Sequence, residues 1–409
     1  MVNIDDIEAA RSALRGIIVE TPLLSSDRLS GDVGGNIFIK AENTQRAGSF
    51  KLRGAYTKMR TLSAEQRQRG VIAHSAGNHA QGVALAAQLL GVRATVVMPE
   101  YAPLSKVAAT KRYGAEVVLH GQSFDDAGTH AAGLQAERGL TYVHAFDDPL
   151  VVTGQGTLGL EILDALPDVD TLIVPIGGGG MISGVATAVK ARRPSVRIIG
   201  VQAEGCPSIR LSLAAGKPVV VPIARTIADG IAVKKPGEVT LPLIRELVDE
   251  VVTVDEDEIA RGIVYVLQNV RLVAEGAGAV GIAALLTGKV RVRREERVCV
   301  VLSGGNIDAN FLARVIEQVL VKQGRYIVLH TSVPDRPGNL SRMLDHVAAE
   351  GANVIDINHR RAAWQVPVDR TGIEMILEVR DEAHGQTIMQ RLSGAGYHVE
   401  RVGEGDYPE

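Results

Sequence analysis

The sequence predicts an α/β protein built on parallel sheets, followed by a smaller unit of βαββαβ order. Three observations carry that expectation. Short apolar runs alternate with helical patterns over about 320 residues, which implies parallel sheets with helices on both faces. After Gly324 the order changes to strand, helix, strand, strand, helix, strand, a ferredoxin-like arrangement. The composition, 46% hydrophobic and 22% charged with 44 Gly and 16 Pro in 409 residues, is that of a globular chain long enough for two or three domains.

Taken in order, the strand candidates of the first part are 36–40, 71–74, 94–97, 116–119, 171–175, 197–202 and 298–303. Each is a short β-branched or otherwise apolar run, as buried parallel strands tend to be. Helical patterns fall at 79–90, 104–113, 124–138, 180–191, 256–269 and 309–322. In the last part, 325–333 reads as a strand, PDRPGNL as a turn and 341–350 as a helix. Strands follow at 353–361 and 372–380, then a helix at 383–394 and a strand at 398–403. Residues 1–323 therefore form one part, with a smaller lobe at roughly 50–150, and residues 324–409 a second, joined at Gly324. Trp364, the only tryptophan, lies between two strand candidates and would report a change in that second part.

Charge and composition exclude several functions. Forty-four basic against 47 acidic residues leave a net charge of −3, which gives no bulk attraction to nucleic acid or to anionic membrane. Aromatics at 3% are too few for the stacking platforms of single-strand binders. Cys206 and Cys299 make no disulfide framework, and neither sits in a metal-type spacing, so no metal site is expected. The N-terminus is acidic and helical without an apolar signal core, and no apolar run approaches the ~18 residues of a membrane span. The expectation is a cytoplasmic enzyme.

Three segments have the composition of a ligand site. In Gly48-Ser49-Phe50-Lys51-Leu52-Arg53-Gly54-Ala55, Ser49 is a good helix N-cap and would place Lys51 in the first turn. There the helix dipole favours the neutral amine that Schiff-base chemistry requires. Alone, such a lysine also reads as an ordinary surface residue. In Val71-Ile72-Ala73-His74-Ser75-Ala76-Gly77-Asn78-His79-Ala80, a strand breaks into a Ser/Gly/Asn turn before a helix. Open α/β sheets bind ligands at such carboxyl ends, although a plain capping turn has the same composition. Gly177-Gly178-Gly179-Gly180-Met181 follows a strand directly, and four glycines allow backbone N–H groups to converge on an anion at a helix N-terminus. No Gly-Lys-Ser/Thr follows, which excludes a P-loop; a flexible hinge is the alternative. Gly154-Gln155-Gly156-Thr157-Leu158-Gly159 fits the dinucleotide fingerprint letter for letter, yet it lacks the preceding strand that gives the pattern meaning. Close packing of a glycine-rich helix start explains it better.

Together, SFKLRGA, SAGNHAQG, the four-glycine turn and Ser303-Gly304-Gly305-Asn306 resemble the pyridoxal-phosphate enzymes of fold type II, and among them the threonine/serine dehydratases. The resemblance covers about residues 10–320. The C-terminal unit resembles the ACT-type regulatory domain, and the whole chain a medium-length threonine dehydratase with one such domain. The resemblance implies that Lys51 holds pyridoxal 5'-phosphate covalently, Phe50 packs on its ring and Asn78 meets the ring 3′-oxygen. Gly177, Gly178, Gly179, Gly180 and Met181 would hold the phosphate, and Ser303 would face the pyridine nitrogen. Ser75, Ala76, Gly77, Asn78 and His79 would form the loop for the substrate carboxylate. Glu275 matches an acidic position near the cofactor, with its role open.

The reaction implied is a β-elimination in which the Lys51 amine takes the Cα proton and the β-hydroxyl leaves. L-threonine would give 2-oxobutyrate and ammonium; L-serine would give pyruvate. Related serine racemases carry a second serine where this chain has Ala76, which favours dehydration. Relatives also place cation-binding carboxylates after a glutamate matching Glu204, where this chain has a basic residue, Arg210. Asp335, Pro337, Gly338, Asn339 and Leu340 would bind an effector amino acid, isoleucine or valine, in allosteric control of isoleucine biosynthesis; a bare oligomerisation surface is the alternative. A homotetramer or dimer is implied. Competing readings are a serine or threo-3-hydroxyaspartate dehydratase, a serine racemase, or a non-catalytic amino-acid sensor.

Overall fold

The structure, a computed structural model, describes residues 2–360 and 366–402. The chain forms two compact units, Met1–Ala309 and Asn310–Glu409. In the first, the strands in chain order are β1 (Leu23–Ser25), β2 (Asn36–Lys40), β3 (Val71–His74), β4 (Ala94–Met98), β5 (Glu116–Leu119), β6 (Thr141–Tyr142), β7 (Thr171–Pro175), β8 (Arg197–Ala203), β9 (Glu250–Val254) and β10 (Arg297–Val301). They make a six-stranded sheet of order β1-β2-β10-β7-β8-β9 and a four-stranded sheet of order β5-β4-β3-β6. Every pair is parallel except β1 with β2. The inner strands are continuous apolar runs because both of their faces are covered: β4 and β7 are buried throughout.

This topology makes two crevices. The chain leaves β7 toward β8 and later returns as β10 on the other side of β7; likewise it leaves β3 toward β4 and returns as β6. Ligands of α/β sheets bind beyond the carboxyl ends of strands at such switch points.

Several elements differ from expectation. The fingerprint-like glycines lie in the middle of the Pro149–Ala165 helix, which Asp148 caps by accepting from the amides of Leu150 and Val151. A Cβ on Gly154 would sit 2.5 Å from the Arg53 carbonyl oxygen, and one on Gly156 would sit 2.9 Å from that of Gly184. The glycines serve close helix packing in a helix interior, and no dinucleotide turn exists there. The helix expected at 256–269 ends at Tyr265 and continues as a π-turn, Val266–Val270, stopped by Arg271 in the left-handed region at φ 62°. The Ala309–Lys322 helix has the expected bounds, but all of it beyond Ala309 belongs to the second unit. The packing break precedes this helix instead of following it at Gly324, whose φ of 67° only turns the chain after it.

The second unit continues with β11 (Tyr326–Pro334), β12 (Asn353–Arg360), β13 (Arg370–Glu378) and β14 (Val399–Arg401), plus helices Asn339–Ala349 and Glu382–Gly394. The sheet order is β12-β13-β11-β14 with every pair antiparallel, a ferredoxin-like arrangement. Burial alternates strictly along β11, so Ile327, Leu329 and Val333 face a core shared with Met343, Val347, Ile388 and Leu392. Trp364 and the expected strand end at Gly403 lie outside the described residues. Among the described residues no helix is long and apolar enough to cross a membrane.

Candidate active site

A cleft of about 600 Å³ opens at the carboxyl ends of β3 and β7, and it gathers residues from distant parts of the first unit. Phe50, Lys51, Ser75, Ala76, Gly77, Asn78, His79, Gly177, Gly178, Gly179, Gly180, Met181 and Ser303 all line it. Sequence reading had grouped these residues only by resemblance; here they share one cavity.

Lys51 opens the Lys51–Arg60 helix, but the cap differs from expectation. Ser49 accepts no hydrogen bond from the helix; its buried hydroxyl has no partner among the described residues, and its backbone pairs with Gly304 in an isolated bridge. The segment is therefore anchored by pairing to the strand end beyond β10, and Phe50 N–H donates to the Ser303 carbonyl at 3.2 Å. Lys51 Nζ donates to the Ala145 carbonyl at 2.8 Å and lies 5.1 Å from the centre of the Phe50 ring. Burial lowers the amine from 10.5 to about 8, opposed by the nearby Glu275 carboxylate. Burial brings the neutral amine within reach of physiological pH.

Two helix N-termini point their free amides into the cleft. Gly179, at φ 94°, is the N-cap of the Gly180–Arg192 helix. Among the described residues the amides of Gly177 to Met181 have no protein acceptor, while Thr240 Oγ1 donates to the Gly178 carbonyl at 2.6 Å and holds the turn. A Cβ on Gly178 would fall 2.4 Å from atoms of the Phe146 ring, so the turn excludes any side chain. The second N-terminus belongs to the Asn78–Leu90 helix, where the amides of Asn78, His79 and Ala80 are similarly without acceptors among the described residues. The His79 ring bonds the Val143 carbonyl at 2.8 Å, and burial pushes its pKa down to about 3. It is a neutral ring turned to the scaffold, so what His79 offers an anion is its backbone amide.

Asn78 is held from both ends. Its Nδ2 donates to Glu275 Oε1 at 2.5 Å, and its Oδ1 accepts from Asn306 Nδ2 at 2.7 Å. Burial, reinforced by Asp229, raises Glu275 to about 7, against the pull of Asn78, Lys106 and Lys51. Ser303 Oγ is buried and its nearest acceptor is the Ala277 carbonyl at a long 3.4 Å.

Sequence reading missed much of the wall, although His74 stood inside the strand-to-turn segment it singled out. His74, Phe124, Tyr142, His144 and Phe146 line the cleft as a run of rings with centroids 4.5 to 5.9 Å apart. The Tyr142 hydroxyl lies 2.7 Å from His74 Nδ1, and His144 Nδ1 accepts from the amides of Phe146 and Asp147. Burial lowers both histidines and lifts Tyr142 to about 12, so all three are neutral at pH 7. At the mouth, Lys106 pairs with Asp229 and Lys234 with Asp125. The available signal was the run His144-Ala145-Phe146-Asp147-Asp148-Pro149, a dense polar turn directly before a helix start, whose Asp147 binds the amides of Glu238 and Val239.

In the second unit, the loop expected to take an effector ends at Gly338, φ 84°, the N-cap of the Asn339–Ala349 helix. Asn339 Nδ2 donates to the Pro334 and Arg336 carbonyls, and its Oδ1 accepts from Arg342. The amides of Gly338 and Leu340 have no acceptor among the described residues.

The donor set of the cleft fits pyridoxal phosphate: an amine able to attack an aldehyde at one end, and a side-chain-free cradle of amides for a phosphate dianion at the other. Among the described residues no cluster of three or more His, Cys, Asp or Glu is placed to hold a metal ion.

Comparison with known proteins agrees. The family described as pyridoxal-phosphate dependent enzyme matches residues 14–304. The L-threonine ammonia-lyase of Thermotoga maritima is 50% identical over 403 residues, 98% of this chain and 100% of that one. The processed form of threonine deaminase isoform 2 from Solanum lycopersicum superposes with a TM-score of 0.74 at 43% identity, covering 78% of this chain and 87% of its own. Maize serine racemase gives the same TM-score at 37% identity, covering 78% and 98%.

Proposed function

The chain belongs to the family of pyridoxal-phosphate-dependent enzymes, and we propose that within it the reaction is deamination of L-threonine to 2-oxobutyrate and ammonium, with L-serine as a second substrate. The observation that carries the reading is one cleft holding a lysine amine with a pKa of about 8 between two clusters of helix amides that have no acceptor among the described residues. One cluster matches a phosphate and the other a carboxylate.

When bound, the cofactor supplies an electron sink for the pair left at Cα. The protein does the rest. The Gly177–Gly180 turn and Met181 hold the phosphate through amides. The Ser75–His79 loop takes the substrate carboxylate and so fixes which bond at Cα meets the Lys51 amine. Lys51, neutral near its lowered pKa, removes the Cα proton, and the ammonium it becomes can return a proton to the departing β-hydroxyl. Asn78 and Phe50 hold the ring in place. Ser303, an uncharged hydroxyl, is a poor proton source for the pyridine nitrogen, which limits charge build-up at Cα and suits elimination. Ala76 carries no titratable group, so the loop offers no second base on the opposite face, which argues against racemisation.

The second unit is proposed as an ACT-type sensor for isoleucine or valine, with Asp335, Pro337, Gly338, Asn339 and Leu340 as its loop. The amides of Gly338 and Leu340, without an acceptor among the described residues, support the reading, as does a curated relative that spans both units. The edge strand β12, with Val354 and Ile355 exposed, supports a homo-oligomer, and two buried free thiols suit a reducing cytoplasm.

The test is 2-oxo acid release from L-threonine and L-serine, with isoleucine or valine added in parallel. Lys51→Ala should abolish turnover with both substrates. An active Lys51→Ala enzyme would overturn the assignment, and turnover unmoved by either effector would overturn the sensor reading alone.

A further inference from the structure

We propose that Glu275 is a positioning residue of this cleft: its side chain, turned away from its own helix, fixes which end of the Asn78 amide faces inward. The proposal rests on the reading of the cleft as the cofactor site.

Glu275 occupies the N-cap of the Gly276–Leu286 helix, where a carboxylate ordinarily accepts from its own helix amides. It makes no such bond. Its side chain turns instead to Asn78, a residue 197 positions earlier, and is 4% exposed. The space is shaped for it. A Cβ on Gly304 would sit 2.4 Å from Glu275 Oε1, and one on Gly230 would sit 3.5 Å away. Its backbone N–H donates to the Gly304 carbonyl at 3.1 Å, which ties the carboxylate to the same segment that carries Ser303.

An asparagine amide can be rotated by half a turn with little change in shape, exchanging donor for acceptor. Asn306 limits this from one side: its Nδ2 donates to the Ala47 carbonyl at 2.8 Å as well as to Asn78 Oδ1. An ionised Glu275 limits it from the other, because a carboxylate only accepts. With both partners in place Asn78 has one N–H left for whatever occupies the cleft. The groups facing Glu275 are Asn78, Asp229, Lys106 and Lys51; His79 and His144, neutral rings, face Lys51. Burial first, and Asp229 second, push the carboxyl toward its neutral form, whose hydroxyl can donate while its carbonyl oxygen still accepts from Asn78.

The test uses the cofactor-loaded full chain with Glu275→Gln and Glu275→Ala. Glutamine keeps an acceptor for Asn78 and removes the charge; alanine removes both. Cofactor affinity should weaken about tenfold in Glu275→Ala and stay within about threefold of wild type in Glu275→Gln. In both variants the pH midpoint of the bound cofactor's absorbance change should fall by about half a pH unit or more, because a nearby anion no longer favours the protonated nitrogen. The kcat for L-threonine should drop while KM changes less than about twofold. Wild-type affinity and an unmoved midpoint in both variants would overturn the proposal. A wild-type protein that binds no pyridoxal phosphate would overturn the cofactor reading itself, which separates the two failures.

Discussion

Lys51→Met should make the cofactor-free protein more stable at pH 7, and the gain should vanish in alkali. Lys51 carries a pKa of 10.5 when exposed and about 8 in the folded protein. The folded state therefore binds fewer protons than the unfolded one between these two values, so stability rises with pH across that window. Below pH 8 the whole penalty is present, and above 10.5 it is gone. The drop from 10.5 to about 8, at about 1.36 kcal/mol per pH unit, corresponds to about 3 kcal/mol. Because the amine lines an open cleft where water screens it, about 2–3 kcal/mol is the expected size at pH 7 and less than about 1 kcal/mol at pH 10. Methionine has a similar length and no charge to desolvate. The assay is urea unfolding of both proteins, stripped of cofactor, at pH 7 and pH 10. A variant no more stable than wild type at pH 7, or a gain equal at both pH values, would refute the claim that burial sets the state of this amine.

Other substitutions probe other parts of the site and its frame. Gly178→Ala, whose Cβ would meet the Phe146 ring at 2.4 Å, should lose most affinity for pyridoxal phosphate in equilibrium dialysis while the fold's circular dichroism persists. Arg53→Leu should destabilise the protein by about 3–5 kcal/mol in urea titrations, since Arg53 is fully buried between Glu42 and Glu161 and its loss leaves Glu42 without a cation. Gly154→Ala should cost about 1–3 kcal/mol through its 2.5 Å approach to the Arg53 carbonyl, measurable as a lowered Tm. Ala76→Ser should add some racemase activity; absence of D-serine in a chiral assay would weaken the argument from the missing second base.

The parts of the fold visible in sequence were those whose signal is local. Strands such as β2, β3 and β7 are short apolar runs closed by polar turns, and their bounds match. The Pro149–Ala165 helix was hidden because glycine is a poor helix former, and only its packing against Arg53, Gly54 and Gly184 explains three glycines in a buried helix. β9 was missed because Glu250–Val254 is half-polar and half-buried at a sheet edge. At the site, Lys51, the Ser75–His79 loop and the glycine turn stood out as motifs, yet the bond from Asn78 to Glu275 spans 197 residues and leaves no trace in local pattern. Tyr142 was equally silent, since it ends the two-residue strand β6 with no motif around it, whereas His74 stood inside the strand-to-turn segment and His144 in the dense polar turn before Pro149.

The cleft has to hold two anions without abolishing the base between them. A phosphate and a carboxylate bound by lysine or arginine side chains would bring further cations beside Lys51, each to be desolvated and each disturbing its pKa. Helix amides avoid this, because they are fixed dipoles already oriented by the fold. Two of the side-chain cations that line the cleft are also paired: Lys106 faces Asp229, and Lys234 faces Asp125. What remains to set Lys51 is burial, which lowers its pKa, and Glu275, which raises it. The two opposing effects place the amine near pH 8, neutral often enough to attack and protonated often enough to return what it takes. A scaffold with the same lysine but an arginine in place of the glycine turn would keep the anion and lose that balance.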